Sequence, residues 1–154
     1  MLHRTTRSLT VAAVATVGLA VSAATASAGT VTAAPKPLGT WEAHYDQWDD
    51  PDDKGGVSIS ESTTKLETGE YVSASFQAYG EILKINDRHS NGRPAIARLT
   101  IGSGGPAVYY GNGDGTSRTL NLSFAEGQRV YLQVCTSDSP NAECTQNAWK
   151  PGTT

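Results

Sequence analysis

The sequence predicts an all-β domain: an antiparallel β-sandwich of about eight short strands, with an immunoglobulin-like or jelly-roll topology. Three observations support this class. Apolar and polar residues alternate in several short segments, which is the period of a half-buried strand. Turn sequences rich in glycine separate those segments. No window carries the apolar spacing of an amphipathic helix over three turns.

Eight segments are predicted to be strands. The alternation is clearest in residues 71–79, 95–101, 120–124 and 130–134. It is weaker in residues 41–48, 57–61, 82–86 and 107–110. Successive side chains of a strand point to opposite faces, so each strand is expected to bury one face and expose the other to water.

The turns between these strands have recognisable chemistry. Ser-Asn-Gly occurs within residues 87–94, and Gly, Asn and Asp dominate residues 102–106, 111–116 and 125–128. Such residues accept the backbone angles that tight connections need. The sequence shows no internal repeat and no second domain.

The first 28 residues are predicted to be a cleaved signal peptide. His3, Arg4 and Arg7 precede an apolar run over residues 9–24, and Ala26-Ser27-Ala28 supplies the small residues that a signal peptidase requires. Residues 29–40, which contain two prolines, are expected to be a flexible tail, and residues 41–154 a single β-sandwich domain. The protein is therefore expected to be secreted and extracellular.

The charge of the remaining chain excludes some partners. Removing the leader takes away Arg4 and Arg7 but no acidic residue, which leaves ten Lys and Arg against 15 Asp and Glu, a formal charge of −5. Nucleic-acid binding needs a basic surface, so a nucleic-acid partner is not expected. No second apolar segment is long enough to span a bilayer, and no membrane association is expected after cleavage.

Cys135 and Cys144 are the two cysteines of the chain and are predicted to form a disulfide. Two cysteines at short spacing in an exported protein usually pair, and the CxxC spacing of redox proteins is absent. The bond is expected to clamp the C-terminal segment. The alternative is that it displays residues 136–143 as a rigid loop that inhibits an extracellular hydrolase.

An acidic segment is the best candidate for a metal site. Asp49, Asp50, Asp52 and Asp53 place four carboxylates within five residues, and calcium prefers such hard oxygen ligands. The spacing does not match an EF-hand loop. A solvated acidic loop between two strands is therefore the favoured interpretation, and no other cofactor is expected.

Aromatic residues suggest a ligand-binding surface. Trp41, Tyr79 and Tyr131 are the candidates, because Tyr79 and Tyr131 fall on the polar phase of their strands. Exposed aromatic rings on β-sandwich domains can stack on sugar rings. The alternative is a packing role, in which Trp residues fill the ends of the sandwich and Tyr residues pair across strands.

No catalytic constellation is recognisable in the sequence. Glu42, Asp46, Glu61 and Glu81 could supply a pair of carboxylates for glycoside hydrolysis, but nothing in the sequence pairs them. The leading hypothesis is a non-catalytic extracellular binding or structural domain for glycan or cell-envelope material. The hydrolase inhibitor is the alternative, and a small enzyme is the third hypothesis.

A resemblance to a known group of proteins points the same way. The chain resembles the small secreted β-proteins common in actinobacteria over residues 72–144. The features that carry this resemblance are the strand and loop at residues 80–87, Leu-Asn-Leu-Ser at 120–123, Glu126-Gly127 and the segment 130–138. The resemblance implies a secreted β-sandwich with one disulfide, and it implies no particular activity.

Overall fold

The structure is a computed structural model that describes residues 41–146 and 151–154. The predicted signal peptide and tail lie outside these residues. The described chain is all-β and contains no helix, and therefore none long and apolar enough to cross a membrane. Its nine strands are β1 (Trp41–Asp49), β2 (Val57–Lys65), β3 (Tyr71–Gln77), β4 (Ile82–Asp87), β5 (Ile96–Ile101), β6 (Ala107–Tyr110), β7 (Ser117–Asn121), β8 (Arg129–Cys135) and β9 (Gly152–Thr153).

Alternation located eight of these strands, and one of them is displaced from its predicted position. The strand predicted at residues 120–124 is observed as β7, Ser117–Asn121. The reason lies in Glu81, which takes over the next hydrogen bonds. Its backbone carbonyl accepts from Leu122 N at 3.1 Å, and its carboxylate accepts from Phe124 N at 2.8 and 2.9 Å. Residues 122–124 therefore leave the ladder although Leu122 and Phe124 still pack on the core.

All nine strands belong to one antiparallel, strongly curled sheet. The order is β6-β5-β8-β9-β2-β3-β4-β7, with β1 paired to β2. The end strands β6 and β7 are consecutive in sequence, and Arg118 Nη1 of β7 donates to the Tyr110 carbonyl of β6 at 2.8 Å. The two separate sheets of a β-sandwich are not confirmed, because β9 joins what would otherwise be two groups of strands.

The two-residue strand β9 is anchored on both sides. Thr153 pairs with Val57 of β2 and with Arg129 of β8. The neighbouring Thr154 is buried and strengthens this attachment. Its backbone N donates to the Gln128 carbonyl at 3.0 Å, and its hydroxyl accepts from Gln128 N at 2.9 Å. The seam of the sheet thus depends on backbone hydrogen bonds rather than on an apolar pattern.

The hydrophobic core fills the inside of the curled sheet. In β3 and β8 every second residue is buried, as the alternation predicts. The fully buried cluster consists of Ile59, Val72, Ala74, Phe76, Leu83, Ile85, Ala95, Ala97, Leu99, Val130, Leu132 and Val134. The ring of Phe76 also lies 6.3 Å from that of Phe124.

Glu61 is a carboxylate buried on the same face as this core, with 2% of its surface exposed. The hydroxyl of Thr145 donates to Glu61 Oε2. The backbone of Thr145 is fixed in turn, because Thr145 N donates to the Val134 carbonyl at 2.9 Å. Tyr45 lies directly opposite Glu61 on β1. Burial, followed by the negative charges of Glu61 and Asp46, raises the pKa of Tyr45.

Candidate functional site

A polar cleft of about 370 Å³ lies at the end of the sheet where β1 begins. Three separate parts of the chain form it: Trp41, the segment after β4, and the loop between Cys135 and Cys144. Most of its lining consists of hydroxyl and amide side chains, namely Asn91, Thr136, Ser137, Ser139 and Asn141. Arg93 and Glu143 add one charge of each sign.

Trp41 and His89 form the aromatic side of the cleft. Their ring centroids are 4.8 Å apart and the ring planes are nearly perpendicular, at 85°. This edge-to-face arrangement is a favoured geometry for aromatic pairs. Trp41 is the first residue of β1, where its pairing with Lys65 fixes the backbone, while His89 follows the end of β4. The contact therefore joins two elements at the rim of the sheet.

Glu70 holds the segment that carries His89. Its Oε1 accepts from Ser90 N at 3.2 Å, and its Oε2 accepts from the Thr68 hydroxyl at 3.0 Å. Oε2 also lies 3.5 Å from His89 Nδ1 and 3.6 Å from Lys65 Nζ. These donors lower the pKa of Glu70, the Ser90 backbone N–H most strongly and the Thr68 hydroxyl next. The ionised carboxylate is thus the form that orders this side of the cleft.

Stability should depend on pH through Glu70. A carboxyl group whose pKa is lowered by folding stabilises the fold above its ordinary pKa, 4.5, and loses this effect as pH falls through the lowered value. We expect wild type to be more stable than Glu70→Gln at neutral pH, and the difference in Tm to shrink steadily below pH 4.5. Thermal unfolding across pH 3–7 measures this, with Glu67→Gln on the same turn as the matched control. A Tm difference that stays constant with pH would contradict the assignment.

The disulfide-closed loop forms the opposite wall. The predicted bond between Cys135 and Cys144 is confirmed. Within the loop, Thr136 N donates to the Glu143 carbonyl at 2.8 Å, and the Thr136 hydroxyl accepts from Glu143 N at 3.1 Å. Ala142 N donates to the Ser139 carbonyl at 3.0 Å. The loop is therefore a compact wall held by its own hydrogen bonds, whereas its role as an inhibitory loop stays a prediction.

Asn91 and Arg93 connect this wall to the segment after β4. Asn91 Nδ2 donates to the Thr136 carbonyl at 3.0 Å, and Asn91 Oδ1 accepts from Arg93 N at 2.8 Å. Arg93 Nη1 lies 3.6 Å from Asp138 Oδ1, and both side chains are exposed. An exposed ion pair of this kind contributes little stability, so the Arg93 guanidinium remains available to a bound ligand.

The three aromatic candidates do not share one surface. Trp41 lies at the cleft, but Tyr79 lies at the other end of the β1–β2 hairpin, where its backbone N donates to Asp50 Oδ2 at 3.4 Å. Tyr131 is partly buried on β8 opposite Thr100. The three residues therefore do not form a single platform for a sugar chain.

The acidic segment adopts a loop in which protein atoms satisfy one carboxylate. Asp50 Oδ2 accepts from the Ser58 hydroxyl at 3.3 Å, and Asp50 Oδ1 accepts from Asp52 N at 3.2 Å. In the described residues no three His, Cys, Asp or Glu side chains converge as a metal site would require. Asp49, Asp50, Asp52 and Asp53 are included in that search, and calcium binding by them stays a prediction.

Two of the four candidate catalytic carboxylates have structural contacts. Glu61 is buried against Thr145, and Glu81 binds Phe124 N through both oxygens. Glu81 also has a positive φ of 50°, which is unusual for a residue other than glycine. Glu42 and Asp46 lie on the exposed strand β1, outside the cleft.

Most of the cleft residues were not anticipated from sequence. His89, Asn91, Arg93, Ser137, Ser139 and Asn141 occur in loops, where polar residues are expected whatever the function. The one available signal was the disulfide, since it predicted an ordered loop over residues 136–143.

Comparison with known proteins adds no relative. No protein-family model, curated protein or solved structure matches the chain. The resemblance to small secreted β-proteins of actinobacteria therefore stays a prediction.

Proposed function

We propose that this chain is a secreted, non-catalytic domain that binds saccharides of glycan or cell-envelope material in the cleft beside Trp41. The observation that carries the proposal is the composition of this cleft, in which a Trp–His pair faces a wall of hydroxyl and amide groups. Its volume of about 370 Å³ lies within the range of small-molecule sites, roughly 300–1,000 Å³.

The polarity of the lining favours a polyhydroxylated ligand. Small-molecule sites are usually lined by apolar side chains with few polar groups, whereas this cleft has the opposite balance. Hydroxyl and amide side chains both donate and accept hydrogen bonds, which matches the alternating donors and acceptors of a sugar. The indole ring supplies the apolar surface on which the C–H face of a sugar can pack.

Preorganisation of the wall also supports binding. The disulfide and the hydrogen bonds between Thr136 and Glu143 order the loop before any ligand arrives. Less conformational entropy is then lost when a ligand binds. The disulfide is also typical of proteins that fold in an oxidising, extracellular environment, which supports secretion.

Trp41→Ala should weaken saccharide binding at least about tenfold, equivalent to about 1.4 kcal/mol. The reason is the loss of the one large apolar surface beside the polar wall. Co-sedimentation with insoluble polysaccharides and cell walls would identify the ligand, and calorimetric titration with its oligosaccharides would give the affinity.

Tyr79→Ala is the matched control for this experiment. It removes a more exposed aromatic ring, 59% exposed, at the opposite end of the β1–β2 hairpin and should leave affinity unchanged. Failure of wild type to bind any polysaccharide or cell-wall preparation would reject the saccharide proposal. Equal losses in the two variants would reject the cleft as the site.

A further inference from the structure

Strand β1 is an edge strand with unusually little protection. It pairs with β2 over nine residues without a bulge, and no other described strand pairs with it. Seven of its nine residues are exposed, so both of its faces reach the surface. Soluble proteins usually protect such edges with Lys, Pro, a bulge or a covering segment. β1 contains neither Lys nor Pro.

The outward hydrogen-bonding groups of β1 belong to its odd-numbered residues. Asp50 N donates to the Gly56 carbonyl at 3.1 Å, which continues the register of the β1–β2 pair. Hydrogen-bonded pairs alternate along an antiparallel ladder, so the even-numbered residues bond to β2 and the odd-numbered ones face outward. Gln47 N accordingly donates to Asp46 Oδ1 at 2.9 Å instead of to β2.

We propose that β1 is a homodimer interface, in which two copies of the chain pair their β1 strands antiparallel about a twofold axis at Tyr45. The sequence of β1 is complementary to itself in this register. His44 of each copy lies opposite Asp46 of the other, and Tyr45 lies opposite its own equivalent. Opposite charges and aromatic pairs directly across a ladder each stabilise it.

The neighbouring registers are disfavoured by like charges. An axis at His44 would place Glu42 opposite Asp46 of the other copy twice. An axis at Asp46 would place that carboxylate opposite itself. Like charges directly opposite each other destabilise a strand pair, so the charge pattern selects the axis at Tyr45. This inference does not depend on the proposed saccharide binding.

Sedimentation velocity over a range of concentrations tests the dimer, and His44→Asp tests its register. This variant places carboxylates opposite each other at two symmetric positions and should raise the dimer dissociation constant at least about tenfold. The double variant His44→Asp/Asp46→Lys reverses both charges and should restore it. Within one chain these positions lie opposite Ser62 and Ser60, so no charge pair with β2 is disturbed.

Ala43→Pro tests the hydrogen bonds independently of charge. Residue 43 is odd-numbered, so its N–H faces outward, and proline there removes a donor to the second copy while sparing the ladder to β2. We expect a folded monomer with a Tm close to that of wild type. A wild-type chain that sediments as a monomer at every concentration would overturn the proposal. A dimer that both Ala43→Pro and His44→Asp leave unchanged would also overturn it.

Discussion

Gly152→Val is expected to lower the free energy of unfolding by about 3 kcal/mol and to open the sheet between β2 and β8. A Cβ atom at residue 152 would lie 2.5 Å from the Val57 carbonyl oxygen and 3.0 Å from Ile59 Cγ2. Neither neighbour can move easily, because Val57 belongs to the ladder and Ile59 is fully buried. The clash would therefore displace β9, which connects β2 to β8.

Urea denaturation followed by circular dichroism would measure the loss of stability, and hydrogen exchange would locate it. The amides of β8 should lose protection before those of β3 and β4, which keep both neighbouring strands. Gly105→Val is the matched control, since a Cβ atom there meets no atom within 4 Å. An unchanged denaturation midpoint in Gly152→Val would show that the seam does not depend on β9.

Removal of the disulfide is expected to have the second largest effect. Cys135→Ala/Cys144→Ala should cost about 2–3 kcal/mol of stability, because the bond closes a short loop and restricts the unfolded chain. It should also weaken ligand binding, since Thr136, Ser137, Ser139 and Asn141 would lose the covalent tie that orders their loop.

The two effects can be separated by temperature. Binding measured well below the Tm of the variant reports the order of the loop rather than global unfolding. Wild type treated with a reductant should reproduce both effects, which controls for the loss of the sulfur atoms. Full affinity in a destabilised variant would mean that the hydrogen bonds between Thr136 and Glu143 are sufficient to shape the wall.

The all-β class and eight strand positions were predictable because each strand buries one face. Burial of alternate residues leaves a period of two in the sequence, as in Val72, Ala74 and Phe76. β9 leaves no such pattern, because its two residues are held by backbone pairing and by Thr154. Whether the strands form one sheet or two depends on this strand, so sequence periodicity could not decide it.

The candidate site was only partly predictable, for a different reason. The polar phase of Tyr79 and Tyr131 indicates which face of a strand they occupy, but not how far they lie from Trp41. Their separation follows from the strand order and register, which are tertiary properties. The cleft itself combines residue 41 with segments 89–93 and 136–143, and no local pattern connects these three parts.

The anchoring of β9 also bears on how quickly the chain can fold. Strands β1 to β4 pair with their neighbours in sequence, so these hairpins can form early through short loops. The contact between Val57 and Thr153 joins distant parts of the chain and carries a larger loop-closure cost. Closure of the sheet should therefore be the late, rate-limiting step of folding, and until then the apolar faces of β2 and β8 stay accessible to proteases and chaperones.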